Sequence, residues 1–155
     1  MKILVMSDSH GDTFDAALAV EQEPEAKYVF HLGDGEHDID DLAEKYTNRD
    51  FIRVRGNCDF LSNLNTTAYI EIEGVRIFAA HGHTLYVRDG YTSLYFAAKE
   101  RNADIALFGH THSPYLDNYN GVRLFNPGSI HDGRYGLIVI DSKGISCFHK
   151  KVRYD

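Results

Sequence analysis

Two imidazoles stand one residue apart in Gly109-His110-Thr111-His112, directly behind the apolar run Ile105-Ala106-Leu107-Phe108. The run reads as a buried strand, and Gly109 frees the backbone to turn where the strand ends. If the chain leaves that strand irregularly, His110 and His112 escape the alternation of faces and both point into one cavity. Two neutral imidazoles converging at a strand end suit a divalent metal. The plainer alternative is a pair of histidines with no shared role. Residues of related chemistry recur elsewhere: Asp8 and His10, then Asp34, then Asn57, then His81 and His83. Each has a bland reading of its own. Gly33-Asp34 and Gly56-Asn57 are common turn dipeptides, and His81 could be a partly buried histidine bonded to a carbonyl. Their occurrence together, in order and each after a strand, is harder to dismiss.

The elements that must position these residues follow from the hydrophobic pattern. Residues 3–6 read as a strand running into Asp8-Ser9-His10. Asp12 is placed to cap a helix through about Glu21, with Asp15 in its first turn. A second strand spans 28–32, a helix follows over 36–46 with Ile39, Leu42, Ala43 and Tyr46 on one face, and a third strand spans 51–55. The pattern then changes. Residues 69–73 and 76–80 form a hairpin that ends at His81-Gly82-His83, and a helix is expected over 92–101. Residues 115–119 and 122–125 form another hairpin, with Asn120-Gly121 suited to a type I′ turn, and 135–140 with 145–149 form the last. The first half alternates strand and helix, which implies parallel pairing. The second is rich in hairpins, which implies a second, largely antiparallel sheet. An α/β fold accommodates both: a four-layer α/β/β/α sandwich of two mixed sheets with helices on the outer faces. Six strands end in polar clusters, the last being Asn126 and Ser129, and in open α/β sheets sites gather beyond the carboxyl ends of strands.

Composition limits the partners. The 155 residues suit one domain, 1–155, with a real core. A net charge of −7 argues against nucleic acid or an anionic membrane as a partner, yet leaves room for a phosphorylated substrate once cations are bound. Cys58 and Cys147 are too few for a disulfide framework, which suggests a cytoplasmic location. No run reaches membrane length, and the apolar start is cut short by Ser7-Asp8-Ser9-His10. Oligomeric state is open, and a homo-oligomer is compatible with the pattern.

Asp8-x-His10, Gly33-Asp34, Gly56-Asn57, His81-Gly82-His83 and Gly109-His110-Thr111-His112 together resemble the calcineurin-like metallophosphoesterase family, and more narrowly its small stand-alone phosphodiesterase branch. The likeness runs from Met1 to about Ser129. It implies that Asp8, His10 and His112 hold one divalent metal, that Asn57, His81 and His110 hold another, and that Asp34 bridges the two. This oxygen and imidazole set, without thiolate, favours Mn²⁺, with Ni²⁺, Fe²⁺ or Zn²⁺ as alternatives, over a hard Mg²⁺ or Ca²⁺ cage. In such a site two metals roughly 3.5–4 Å apart share a water, lower its pKa and set it for in-line attack on a small phosphoester. Asn57 would ligate through its oxygen while its NH₂ donates to a phosphate oxygen.

One departure matters. Many members carry a histidine after Gly-Asn that protonates the leaving group, and here that position is Cys58. A thiol is a poor replacement at neutral pH. His83 is then the candidate acid, or else a partner that orients His81. His31, His37, His131 and His149 have no motif behind them and read as structural or surface residues. The reading is a hydrolase, a metal-dependent phosphodiesterase. The alternative from another class is a non-enzymatic interaction module, because the same fold serves as the scaffold subunit of the retromer coat.

Overall fold

The computed structural model describes all 155 residues and contains ten strands and three α-helices. The first sheet carries the chain's start and end: β1 (Lys2–Met6), β2 (Ala26–His31), β3 (Asp50–Arg53), β9 (Arg134–Asp141) and β10 (Gly144–Lys151), in the order β10-β9-β1-β2-β3. The second holds β4 (Thr67–Ile72), β5 (Val75–Ala80), β6 (Ile105–Leu107), β7 (Tyr115–Tyr119) and β8 (Val122–Asn126), in the order β4-β5-β6-β8-β7. α1 (Thr13–Gln22) and α2 (Asp40–Lys45) pack on the first sheet, and α3 (Thr92–Glu100) packs on the second.

Three apolar layers separate these elements. Ile3, Val5, Phe30, Ile77, Leu107 and Phe125 fill the space between the sheets. Leu4, Met6, Ala16, Ala19, Val20 and Ile39 lie under α1 and α2, and Phe78, Leu94, Ala98, Ala106 and Phe108 lie under α3. β1 thus faces two cores at once. Its four residues Ile3 to Met6 are wholly buried, which is why it shows a continuous apolar run rather than alternation. The four-layer α/β/β/α arrangement is the one expected.

Three details differ from the pattern in the sequence. The second sheet is not largely antiparallel: β5, β6 and β8 run parallel at its centre, flanked by antiparallel β4 and β7. The crossover through α3 returns the chain parallel to β5, and the β7–β8 hairpin then sets its second strand against β6. The helix expected over 36–46 begins as a 3₁₀ turn, Glu36–Ile39, before α2. Gly35 at φ 138° starts it, and Asp38 N–H donates to the Gly35 carbonyl, three residues back. β3 stops at Arg53: Val54 N–H still donates to the His31 carbonyl of β2, but Arg55 N–H turns to the Asn65 carbonyl instead. Asp12 caps α1 as expected, its Oδ1 accepting from Asp15 N–H at 2.9 Å. The β7–β8 turn has φ 49° at Asn120 and 87° at Gly121, as a type I′ turn requires.

The candidate metal centre

The carboxyl ends of β1, β2, β5 and β6, with the loop after β3, meet on one rim, and Asp8, His10, Asp34, Asn57, His81, His110 and His112 come together there. Of these seven, Asp8, His10, Asp34, His110 and His112 all have φ between 45° and 70°. Left-handed backbone at a non-glycine residue costs on the order of 1 kcal/mol or more and persists only where surroundings impose it. At His110 and His112 the twist breaks strand alternation, so the two rings turn inward to different neighbours. His110 Nδ1 lies 3.2 Å from His81 Nε2, and His112 Nε2 lies 3.3 Å from His10 Nε2.

Two groups of three result. Asp8, His10 and His112 present ligand atoms within 4.8 Å of one another, as do Asp34, His81 and His110. Asp34 joins them: its Oδ2 is 3.2 Å from His81 Nε2 and 3.7 Å from His10 Nε2. Asn57 Oδ1 stands 3.0 Å from His81 Nε2. Cys58 also reaches this ground, its sulfur grouping with His10 and Asp34.

The chemistry of the donors fits cations. His81 is wholly buried, and its Nδ1 donates to the Leu32 carbonyl at 2.7 Å, the bond that its plainer reading allowed. With that proton on Nδ1, neutral His81 has only a lone pair at Nε2. Yet Nε2 faces two acceptors, the oxygens of Asp34 and Asn57, with Nδ1 of His110 beside them. Only a proton or a cation reconciles them. Asp8 Oδ1 shows the same need: it is buried with no hydrogen-bond partner, although His112 Nε2 stands 3.1 Å away. Asp8 Oδ2, by contrast, accepts from Ser7 Oγ at 2.5 Å and from His110 N–H at 3.0 Å.

Charge follows the same geometry. Burial alone would raise the pKa of Asp34, but the His81 ring and the Cys58 N–H outweigh it and hold the carboxyl well below its usual range. Burial opposes a charge on His81, yet the Asp34 and Asp8 carboxylates raise its pKa. His110 and His83 move down, first through burial and then through repulsion from His81. Burial, then the Asp34 charge, pushes the Cys58 thiol up. A thiol so raised is a still weaker acid than its type suggests.

His83 does not orient His81, since the Leu32 carbonyl does that. Its ring centroid is 5.4 Å from that of His81, and its Nδ1 is buried without a partner. Asn126 and Ser129 sit at the same rim as supports: Asn126 Nδ2 donates to the Gly109 carbonyl and Thr111 Oγ1, and Ser129 Oγ donates to the Asp8 carbonyl.

One supporting group, Asp59, escaped the sequence reading, and a second is His31, one of the histidines read as structural or surface residues. The Asp59 carboxylate accepts from four backbone amides, those of Asp34, Gly35, Glu36 and Gly56, at 2.7–3.2 Å. It thereby ties the β2 loop to the β3 loop. The signal was present as an aspartate three residues after a glycine turn. His31 is wholly buried and links loops: Nδ1 accepts from Gly33 N–H, Nε2–H donates to Ser9 Oγ, and that hydroxyl donates to Asp38. The loops approach so closely that a Cβ at Gly56 would lie 2.2 Å from Asp34 Oδ1, and one at Gly109 would lie 2.0 Å from Ser7 Oγ.

Comparison with known proteins places this geometry. Residues 1–141 match the calcineurin-like phosphoesterase superfamily domain. The probable metallophosphoesterase YsnB of Bacillus subtilis is 32% identical over 132 residues, spanning 84% of this chain and 75% of that protein. The phosphodiesterase YfcE of Escherichia coli is 28% identical over 153 residues, spanning 84% of this chain and 79% of that one. Among solved structures, Vps29 of Entamoeba histolytica complexed with Zn²⁺ superposes with a TM-score of 0.75 at 21% identity. The match covers 99% of this chain and 100% of that one, a likeness of fold.

Proposed function

Because the chain belongs to the calcineurin-like phosphoesterase superfamily, we propose that it is a phosphodiesterase whose rim holds two divalent metals. The observation that carries this reading is the crowd of oxygen and nitrogen ligand atoms around His81 Nε2, together with the orphaned Asp8 Oδ1. Asp8, His10 and His112 would hold one ion, and His81, His110 and Asn57 the other, with Asp34 shared. Mn²⁺ heads the order of preference, since the set is oxygen and neutral imidazole without thiolate. When bound, such ions supply Lewis acidity to the phosphoryl group and a water acidic enough to be a nucleophile near neutral pH.

The chain's own residues do the rest. The Leu32 carbonyl fixes the tautomer of His81 and aims Nε2 into the site. The clamp by Asp59 sets Asp34 against Asn57 before any substrate arrives. Asn57 Nδ2 donates one hydrogen to Cys58 Sγ at 3.5 Å and keeps the other for a phosphate oxygen. Cys58 is a weakened acid and His83, its pKa lowered, holds less proton at neutral pH than an ordinary imidazole, so the substrates served best are diesters whose leaving group departs as a stable anion.

The test is hydrolysis of bis(p-nitrophenyl) phosphate by protein stripped with chelator and reloaded with Mn²⁺. Turnover that appears with metal and disappears with chelator is expected. Folded, metal-loaded protein with no turnover on aryl diesters under any of Mn²⁺, Ni²⁺, Fe²⁺ or Zn²⁺ would overturn the enzyme in favour of an interaction module.

A further inference from the structure

Beside the metal centre the chain spends stability on exposing apolar surface. Phe60 is 83% exposed, and the next residue, Leu61, is 102% exposed and held at φ 57°. A branched apolar residue in left-handed backbone is disfavoured twice, by sterics and by water. Both side chains stand in the loop between β3 and β4, directly after Asn57 and Cys58.

Phe60 lines a cavity of about 380 Å³ together with His10, Asp34, Cys58, Glu36 and His37. The aromatic ring therefore opens onto the same hollow as two of the proposed ligands. Leu61 lines the adjoining cavity, of about 370 Å³, with Phe51 and Leu64, so the apolar surface continues past Glu36 and His37, which border both.

The charge of the hollow narrows its occupant. Apart from the proposed ligand Asp34, the carboxylates of Glu36, Asp38 and Asp59 line it, and neither lysine nor arginine does. A second phosphate or a carboxylate on the substrate would meet repulsion there, whereas an uncharged flat ring would meet the face of Phe60.

We propose that Phe60 is a specificity residue, a platform on which an uncharged aromatic ester group, aryl or nucleobase, stacks while its phosphoryl group lies at the metal centre. The inference rests on the phosphodiesterase reading and names the class of diester it serves. Leu61 extends the platform for larger groups.

Binding to the Mn²⁺-loaded protein, measured by titration calorimetry, tests this apart from turnover. The probes are phenylphosphonate, methylphosphonate and 4-carboxyphenylphosphonate. Wild type is expected to bind the phenyl compound about tenfold more tightly than the methyl compound, the scale set by partial burial of one ring. Phe60→Ala should bring the two within about twofold, Phe60→Tyr should keep the difference, and the carboxylated ring should bind more weakly than the plain one. Equal binding of phenyl and methyl compounds by wild type would overturn the platform, as would a difference that survives Phe60→Ala. Hydrolysis of bis(p-nitrophenyl) phosphate by the same wild-type sample separates the two ideas. Metal-dependent turnover without phenyl preference sinks the platform alone; phenyl preference without turnover sinks the phosphodiesterase reading and supports Phe60 as a ligand platform.

Discussion

The two halves of the proposed metal centre are built differently. Asp34, His81 and His110 form a deep half: the side chains of Asp34 and His81 are 3% and 0% exposed. Asp8, His10 and His112 form a shallow half, with a fully buried carboxylate but imidazoles 31% and 41% exposed. Only in the deep half does an imidazole have its second nitrogen engaged, His81 Nδ1 on the Leu32 carbonyl. His10 and His112 touch only each other and the carboxylates, through Nε2. A ring held by a second bond loses little freedom on ligation, while a free ring must be ordered by the ion itself. The lesson is that a symmetric-looking ligand set can be one preorganised site and one that the metal completes.

The carboxylate shared by both halves should matter most. Asp34→Ala is expected to abolish turnover, by about a thousandfold or more, and to leave at most one metal bound, because both ions lose a charged partner together. Metal content by elemental analysis beside kcat checks this. Two retained metals with most of the activity would refute the bridge.

Acid should reach the shallow half through its support. His31 is buried, and burial lowers its pKa to about 4 from the ordinary 6.5. Between those values the unfolded chain binds a proton that the folded one refuses, so stability is present above 6.5 and lost as pH falls toward 4. The loss from this group approaches about 3 kcal/mol. Urea unfolding of chelator-treated protein at pH 7, 5.5 and 4 should show it, and His31→Gln should flatten most of that slope. An unchanged slope would mean that other groups carry the acid sensitivity.

Metal release should separate the halves. Chelator titration is expected to be biphasic, with the deep half about ten- to a hundredfold tighter, the usual worth of an orienting partner. His112→Ala should remove the weaker phase and leave the tighter one. A single phase that His112→Ala weakens as a whole would show the halves to be one unit.

The smallest effect concerns the edge where both halves meet Cys58. Wild type should prefer an aryl diester to an alkyl diester strongly, since a positioned acid is typically worth about 10²–10⁴-fold on a poor leaving group. Cys58→His should narrow the gap in kcat/KM by about tenfold, chiefly on the alkyl compound. If wild type treats the pair alike, His83→Ala tells whether His83 is the acid. If the gap is wide and Cys58→His leaves it so, Cys58 does not mark a missing acid.

Much of the architecture was legible because its signals are local. Ile3 to Met6 and Ile105 to Phe108 announce buried strands by continuous apolar character, and Asn120-Gly121 and Asp12 announce a turn and a cap. The sheet to which each late strand belongs was not legible. β9 pairs with β1 across more than a hundred residues, a choice that depends on which apolar faces remain uncovered when the first strands have packed. The parallel centre of the second sheet escaped for the same reason, since hairpins reveal their own pairing and nothing of their neighbours.

At the site, the sequence alone determined which donors exist and that each follows a strand, because ligand chemistry and strand periodicity reside in single residues and short runs. It also contained the departure at Cys58. Only the tertiary structure decided that His110 turns to His81 while His112 turns to His10, that the Leu32 carbonyl rather than His83 aligns His81, and that Asp59 and His31 hold the loops. Those outcomes depend on backbone angles that residues other than glycine seldom adopt, such as φ 70° at His110 and 61° at His112. Strain of that kind is stable only when two packed sheets bring the partners within hydrogen-bonding reach, and reach of that sort is a property of the packed chain.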